Sequence, residues 1–171
     1  RGTRSQAPGM NPRTMPDATH SPDPRPLRLL FVCSGNTCRS PAGEAAIRVA
    51  AARSGVEIDV SSAGTSAAHV GEPPTPAMVE AGRRRGIEIT GTASQVTPEQ
   101  LESADLVLAM DHQTALFLRT LATSTPIELF GGHDTSAPEI TDPYGGGDAV
   151  YAEILDRIIS AAEALVASLN D

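Results

Sequence analysis

Between residues 33 and 40 the chain reads Cys33-Ser34-Gly35-Asn36-Thr37-Cys38-Arg39-Ser40, which places a thiol six residues ahead of an arginine. The apolar run Leu27 to Val32 delivers the chain to Cys33, and Ser40-Pro41 opens a helix, since proline suits the first helical position. Gly35-Asn36 tolerates positive φ. A strand-to-helix loop of this kind gathers backbone N–H groups into an anion-binding nest backed by the helix N-terminus. Arg39 adds a planar two-pronged clamp that matches phosphate oxygens. A free cysteine titrates at about 8.5, and helix N-termini with cationic neighbours lower this to roughly 3.5–7.5, so Cys33 is expected to ionise readily. The stretch therefore predicts a phosphate cradle with a thiolate nucleophile in its floor. The spacing alone is common; the strand before it and the Ser-Pro helix start after it make it specific. Without that context Cys33 reads as a small buried hydrophobe.

The elements that must position this loop alternate along the sequence. Leu27 to Val32 has the continuous apolar character of a central parallel strand. Pro41 to Ser54 is an alanine-rich helix stopped by Gly55, and Val56, Ile58 and Val60 alternate as a second strand. A Gly/Ser/Pro loop over Ser61 to Pro74 leads to a helix near Thr75 to Arg85. Thr97-Pro98-Glu99-Gln100 is a capping box. Leu106 to Met110 makes a third strand, His112 to Leu121 a helix, and Ile127 to Phe130 a fourth strand. A long loop from Gly131 to Gly147 precedes a last helix capped by Asp148, whose apolar residues keep a helical period to Leu169. Strands separated by helices predict an α/β three-layer sandwich: a four-stranded parallel sheet with helices on both faces and the phosphate loop after its first strand. In such a sheet ligands bind at the carboxyl ends of the strands, where the Gly131–Gly147 loop reaches the same rim as Cys33.

Residues 1–26 hold six Pro and no Val, Ile, Leu, Phe, Tyr or Trp, so they are expected to form a disordered tail ahead of a domain over 27–171. The first residues, which begin at Arg rather than Met, are set aside from fold reasoning. A net charge of −8 and the lack of a basic stripe argue against nucleic acid as partner. The longest apolar runs are too short for a bilayer span. Two cysteines five positions apart are no disulfide framework, and a thiolate suits a reducing cytoplasm. His20, His69, His112 and His133 lack ligand spacing, and Cys33-x4-Cys38 is wrong for zinc, so no metal is expected. Arg83-Arg84-Arg85 reads as a solvated helix end.

From Leu27 onward the residues resemble the low-molecular-weight protein tyrosine phosphatases. The matching pieces are Leu30-Phe31-Val32-Cys33, Gly35-Asn36, Cys38-Arg39-Ser40-Pro41, Ser62-Ala63-Gly64-Thr65, His69-Val70-Gly71-Glu72-Pro73, Ala104 to Met110, and Asp142-Pro143-Tyr144, in the family's order and spacing. The resemblance implies hydrolysis of a phosphorylated protein or peptide without a cofactor, inorganic phosphate being product and inhibitor. Cys33 would attack phosphorus to give a cysteinyl-phosphate. Arg39 and the amides of Ser34, Gly35, Asn36, Thr37 and Cys38 would hold the equatorial oxygens. Asp142 would protonate the leaving atom and then activate water. Ser40 would donate to the sulfur and Asn36 would hold the strained turn. From its own place just past the third strand, Asp111 reads as a brace for the rim. Asp142 ahead of Pro143 also reads as a turn former. Tyr144 is either packing or a wall for the substrate ring. Cys38 is either inert or a trap for oxidised Cys33.

The departures concern substrate. Tyrosine-directed members usually carry a bulky aliphatic residue at position 37 and an aromatic one at position 68, here Thr37 and Ala68. A second aromatic often follows the Asp-Pro-Tyr, where this chain has Gly145. Thr37 and Asp142-Pro143-Tyr144-Gly145-Gly146 resemble the branch that acts on phosphoarginine. Phosphotyrosine is therefore the first expectation and phosphoarginine the alternative. Gly43 replaces a usual alanine, at a small expected cost in helix stability. Arsenate reductases share the cradle but relay electrons through further cysteines, which this chain lacks. An inactive phosphate-binding module is disfavoured by the presence of nucleophile, clamp and acid together.

Overall fold

A computed structural model describes residues 25–121, 124–134 and 137–171. The proline-rich tail expected over 1–26 lies outside the described residues up to position 24. At its end Arg25 grips the Asp105 carboxylate with both guanidinium nitrogens, each 2.9 Å from an oxygen.

The element order is β1 (Leu27–Cys33), α1 (Arg39–Ser54), β2 (Ile58–Gly64), α2 (Pro76–Arg84), α3 (Pro98–Ser103), β3 (Leu106–Ala109), α4 (His112–Arg119), β4 (Ile127–Leu129) and α5 (Asp148–Leu169). The strands form one parallel sheet in the order β2-β1-β3-β4. Because side chains alternate along a strand, β1 feeds two cores. Leu29, Phe31 and Cys33 join the core under α1, α2 and α5, while Leu30 and Val32 face Leu101, Ala115 and Leu118 of α3 and α4. Cys33 is thus held on the α1 face at the carboxyl end of a central strand. The chain leaves β1 first to one side, for β2, and later to the other, for β3. The crevice at that reversal is where an open α/β sheet receives ligands.

The capping box forms as the sequence predicts: Gln100 N donates to Thr97 Oγ1, and Thr97 N donates to Gln100 Oε1, both at 3.2 Å. Several boundaries differ. Strand β2 starts at Ile58, not Val56, because Val56 N is committed to Ala51 O in the turn where Gly55 (φ 66°) closes α1. It runs on to Gly64, so Ser61 to Gly64, expected in a loop, pair with β1. Helix α1 starts at Arg39, two residues before the expected Pro41. The last helix takes Gly147, not Asp148, at its N-cap; Asp148 sits in the first turn, where a carboxylate complements the helix dipole. Phe130, expected to end β4, opens a 3-10 turn to His133, and its ring meets Phe31 edge to face with centroids 4.9 Å apart.

Gly43 is explained by packing. A Cβ there would lie 2.6 Å from Phe31 Cδ1, so the missing methyl is the seat of that ring under α1. Among the described residues no helix is long and apolar enough to cross a membrane.

Candidate active site

The loop from Ser34 to Cys38 is folded around Asn36. Its backbone is left-handed (φ 56°), which asparagine tolerates better than most residues. The buried side chain then satisfies itself completely. Nδ2 donates to Ser40 Oγ (2.8 Å) and Ser62 Oγ (3.0 Å), while Oδ1 accepts from Ser94 N (2.9 Å). Ser62 passes the chain on by donating to Glu44 Oε2 at 2.7 Å, and Arg48 holds the other oxygen of that carboxylate at 2.7 Å. Further staples run from Thr65 N to Cys33 O, Ser66 N to Ser34 O, and Thr75 N to Thr37 O. Gly64 permits the approach of β2: a Cβ on it would lie 2.7 Å from Ser34 O.

Bound in this way, the loop presents free donors. Among the described residues, the backbone N–H groups of Ser34, Gly35, Thr37 and Cys38 have no protein acceptor, and the first amides of α1 have none within the helix. The buried Cys33 sulfur accepts from Asn36 N at 3.3 Å and lies 3.0 Å from Ser40 Oγ. Arg39 is 5% exposed, and its Nη1 is fixed by Asp111 Oδ2 (2.8 Å) and Ile140 O (2.9 Å). Partial burial pushes the Asp111 carboxyl up, but the Arg39 guanidinium and Thr114 together hold it below the ordinary carboxylate value. Asp111 Oδ1 also caps α4 by accepting from Thr114 N. Asp111 therefore braces the rim through Arg39.

Asp142 is half exposed, and its two oxygens are divided. Oδ1 accepts from Tyr144 N at 3.1 Å, the turn-forming use anticipated before proline. Oδ2 lies 3.9 Å from Arg39 Nη2. The loop carrying it is anchored on several sides. Ile140 N donates to Met110 O, His112 N to Glu139 Oε1, and Arg157 to the carbonyls of Glu139 and Ala137.

These residues meet at a cleft of about 350 Å3, lined by Cys33, Ser34, Gly35, Thr37, Cys38 and Arg39 on one side and Ala68, Asp142 and Tyr144 on the other. Asn36 and Ser40 stand behind the lining as supports. Tyr144 is 86% exposed at the rim, so it is not core packing. Burial, then the negative charge of Cys33 and Asp142, pushes the Cys38 thiol up to about 12, against the pull of Arg39. It is therefore protonated at neutral pH, which disfavours it as a nucleophile towards oxidised Cys33. Sequence reasoning missed Ser66, His69, Thr75 and Tyr151, which complete the lining. In the sequence His69 appears only within a matching piece and as a histidine without ligand spacing; in the structure it pairs with Glu72 at 2.8 Å on the lip. Tyr151 lies nine residues after Asp142 in sequence, and its place on the core face of α5 is the signal that could have found it. Among the described residues no group of three or more His, Cys, Asp or Glu is placed to hold a metal ion.

A cradle of amides around a sulfur, with a clamped guanidinium and a carboxylate opposite, is a site built for a phosphoryl group. The known proteins that resemble this chain agree. A putative low molecular weight protein-tyrosine-phosphatase of Synechocystis is 36% identical over 84% of this chain and 97% of its own length. A protein-arginine-phosphatase of Bacillus subtilis is 36% identical over 77% of this chain and 89% of its own. A crystal structure of a protein tyrosine phosphatase from Entamoeba histolytica superposes with a TM-score of 0.79 at 28% identity, covering 84% of this chain and 97% of that one. The family model described as low molecular weight phosphotyrosine protein phosphatase matches residues 28–171. The cradle and its surrounding sheet thus place the chain in the low molecular weight phosphotyrosine protein phosphatase family, as a hydrolase of phosphorylated proteins.

Proposed function

We propose that the enzyme hydrolyses phosphotyrosine in proteins through a cysteinyl-phosphate formed on Cys33. The observation that carries this is the Cys33 sulfur, which accepts an amide N–H and faces Ser40 Oγ at 3.0 Å within the ring of free loop donors. In the first step the Cys33 S–P bond forms as the P–O bond to the tyrosine breaks, and Asp142 gives its proton to the departing oxygen. Arg39 and the amides of Ser34, Gly35, Thr37 and Cys38 hold the equatorial oxygens, where charge collects in the transition state. Because Asp111 and Ile140 fix Arg39 beforehand, the clamp needs little reorganisation when substrate binds. In the second step Asp142 takes a proton from water, which attacks phosphorus. The S–P bond breaks, and Ser40 donates to the departing sulfur. Inorganic phosphate leaves as product, and it fits the same cradle as a competitive inhibitor. No metal or cofactor is needed, since amides and guanidinium supply the positive field. A thiolate enzyme of this kind suits the cytoplasm; nucleic acid and membrane are not among its partners.

A second reading, hydrolysis of phosphoarginine, is favoured by the cleft wall. Thr37 lines the cleft where an aliphatic side chain would pack on a phenyl ring, and Ala68 and Gly145 leave the aromatic slot poorly furnished. The chemistry is unchanged except that the P–N bond breaks and Asp142 protonates nitrogen. The deciding experiment is kcat/KM on matched phosphotyrosine and phosphoarginine peptides, with Cys33→Ser as control. Cys33→Ser is expected to bind phosphate analogues and turn over neither peptide; normal hydrolysis by it would refute the covalent route.

A further inference from the structure

Tyr151 lies in the first turn of α5, and its ring belongs to the core that also holds Phe31 and Phe130. It is 6% exposed, yet it lines the cleft beside Cys38 and Asp142. Among the described residues, none offers its hydroxyl a hydrogen bond. The hydroxyl oxygen is not itself sealed off, although the ring is buried: it reaches the surface of the cleft. The open side of the ring is the cleft, so the hydroxyl is available to a group that enters there.

The position limits what that partner is. The phosphoryl group occupies the loop, and Asp142 faces the leaving atom. Tyr151 lines the same cleft as Asp142 and feels its charge, so the side chain that carries the phosphoryl group enters alongside it. A phenyl ring presents only C–H edges there. A guanidino group presents in-plane N–H donors and carries positive charge, which both a hydroxyl oxygen and an aromatic face attract. Burial above all, with the Asp142 carboxylate adding to it, raises the Tyr151 phenol above its ordinary value, so it enters the reaction neutral and does not repel phosphate. The rest of the lining agrees: Ser34, Thr37, Ser66 and Thr75 add hydroxyls where an aromatic slot would be apolar.

We infer that Tyr151 is a substrate-contacting specificity residue, its hydroxyl accepting a hydrogen bond from the guanidino N–H of phosphoarginine next to the bond that breaks. This rests on the phosphoarginine reading of the cleft and deepens it.

The test is Tyr151→Phe, assayed with matched phosphoarginine and phosphotyrosine peptides alongside its unfolding midpoint. Since the hydroxyl bonds no protein group, the midpoint is expected to hold. The kcat/KM on phosphoarginine is expected to fall about tenfold or more, as loss of a hydrogen bond to a charged group gives, with phosphotyrosine changing less than about twofold. Equal losses on both substrates, as from a role in orienting Asp142, would overturn the inference, as would an unchanged ratio or a lowered midpoint. A wild-type enzyme that cleaves phosphotyrosine but not phosphoarginine would overturn it too, while leaving the Cys33 mechanism standing.

Discussion

Replacing Asn36 by alanine tests whether one side chain holds the phosphate loop in shape. The substitution removes the bonds to Ser40 Oγ and Ser62 Oγ and the acceptor for Ser94 N, all buried or partly buried. At about 0.5–1.5 kcal/mol net for each bond, the loss is roughly 1.5–4.5 kcal/mol. The backbone at φ 56° adds about 1 kcal/mol, because a Cβ without a polar side chain is disfavoured there. A total of about 3–5 kcal/mol is a large share of the roughly 5–15 kcal/mol that stabilises a typical domain. For a domain of this size it corresponds to a fall in Tm of about 10 °C. Asn36→Gly loses the same bonds without the φ penalty, so it should lie above Asn36→Ala, which isolates the backbone contribution. Urea and thermal unfolding read the stability, and turnover of a small aryl phosphate reads the loop. Because Asn36 N also donates to the Cys33 sulfur, a relaxed loop should lower kcat by about a hundredfold even where the variant is folded. An Asn36→Ala protein within about 2 °C of wild type and fully active would refute this account of the loop.

Gly43→Ala should destabilise by about 1 kcal/mol despite alanine's better helix propensity, since its Cβ would press on Phe31 at 2.6 Å and overpacking outweighs propensity; a rise in Tm would show that the core yields freely. The Asp111 carboxyl is held below its ordinary 3.8, so its contribution to stability is complete above that value and is lost as pH falls through the lower folded one. Asp111→Asn keeps the α4 cap but not the charge on Arg39. It should therefore be less stable at pH 6 and lose less than wild type between pH 5 and about pH 2, as urea midpoints would show; equal acid losses would mean that the pair does not matter. Asp142→Asn should slow substrates with poor leaving groups by about 10²-fold or more and those with good ones far less. Equal losses across a series of aryl phosphates would point to another acid.

Much of this site was legible because its determinants are local. A strand, a turn tolerant of positive φ and a proline-started helix occupy only 15 residues or so of contiguous chain, so Cys33 and Arg39 had to emerge at one helix N-terminus. The sheet and its helices followed from periodicity for the same reason. Element ends were less legible: Val56 reads as strand, yet its amide closes the Gly55 turn. Gly43 reads as a small loss in a helix, whereas it makes room for an aromatic ring from another element.

By itself the sequence determined the kind of chemistry, a sulfur nucleophile in a phosphate cradle, because residue type and spacing along a short stretch set which atoms can converge there. Only the tertiary structure decided what surrounds that cradle. The brace of Asp111 on Arg39 spans 72 positions, the Asn36 staple to Ser94 spans 58, and Tyr151 reaches the cleft from the last helix. Contacts across such separations leave no periodic signature, since they depend on which faces meet once the sheet has closed its two cores.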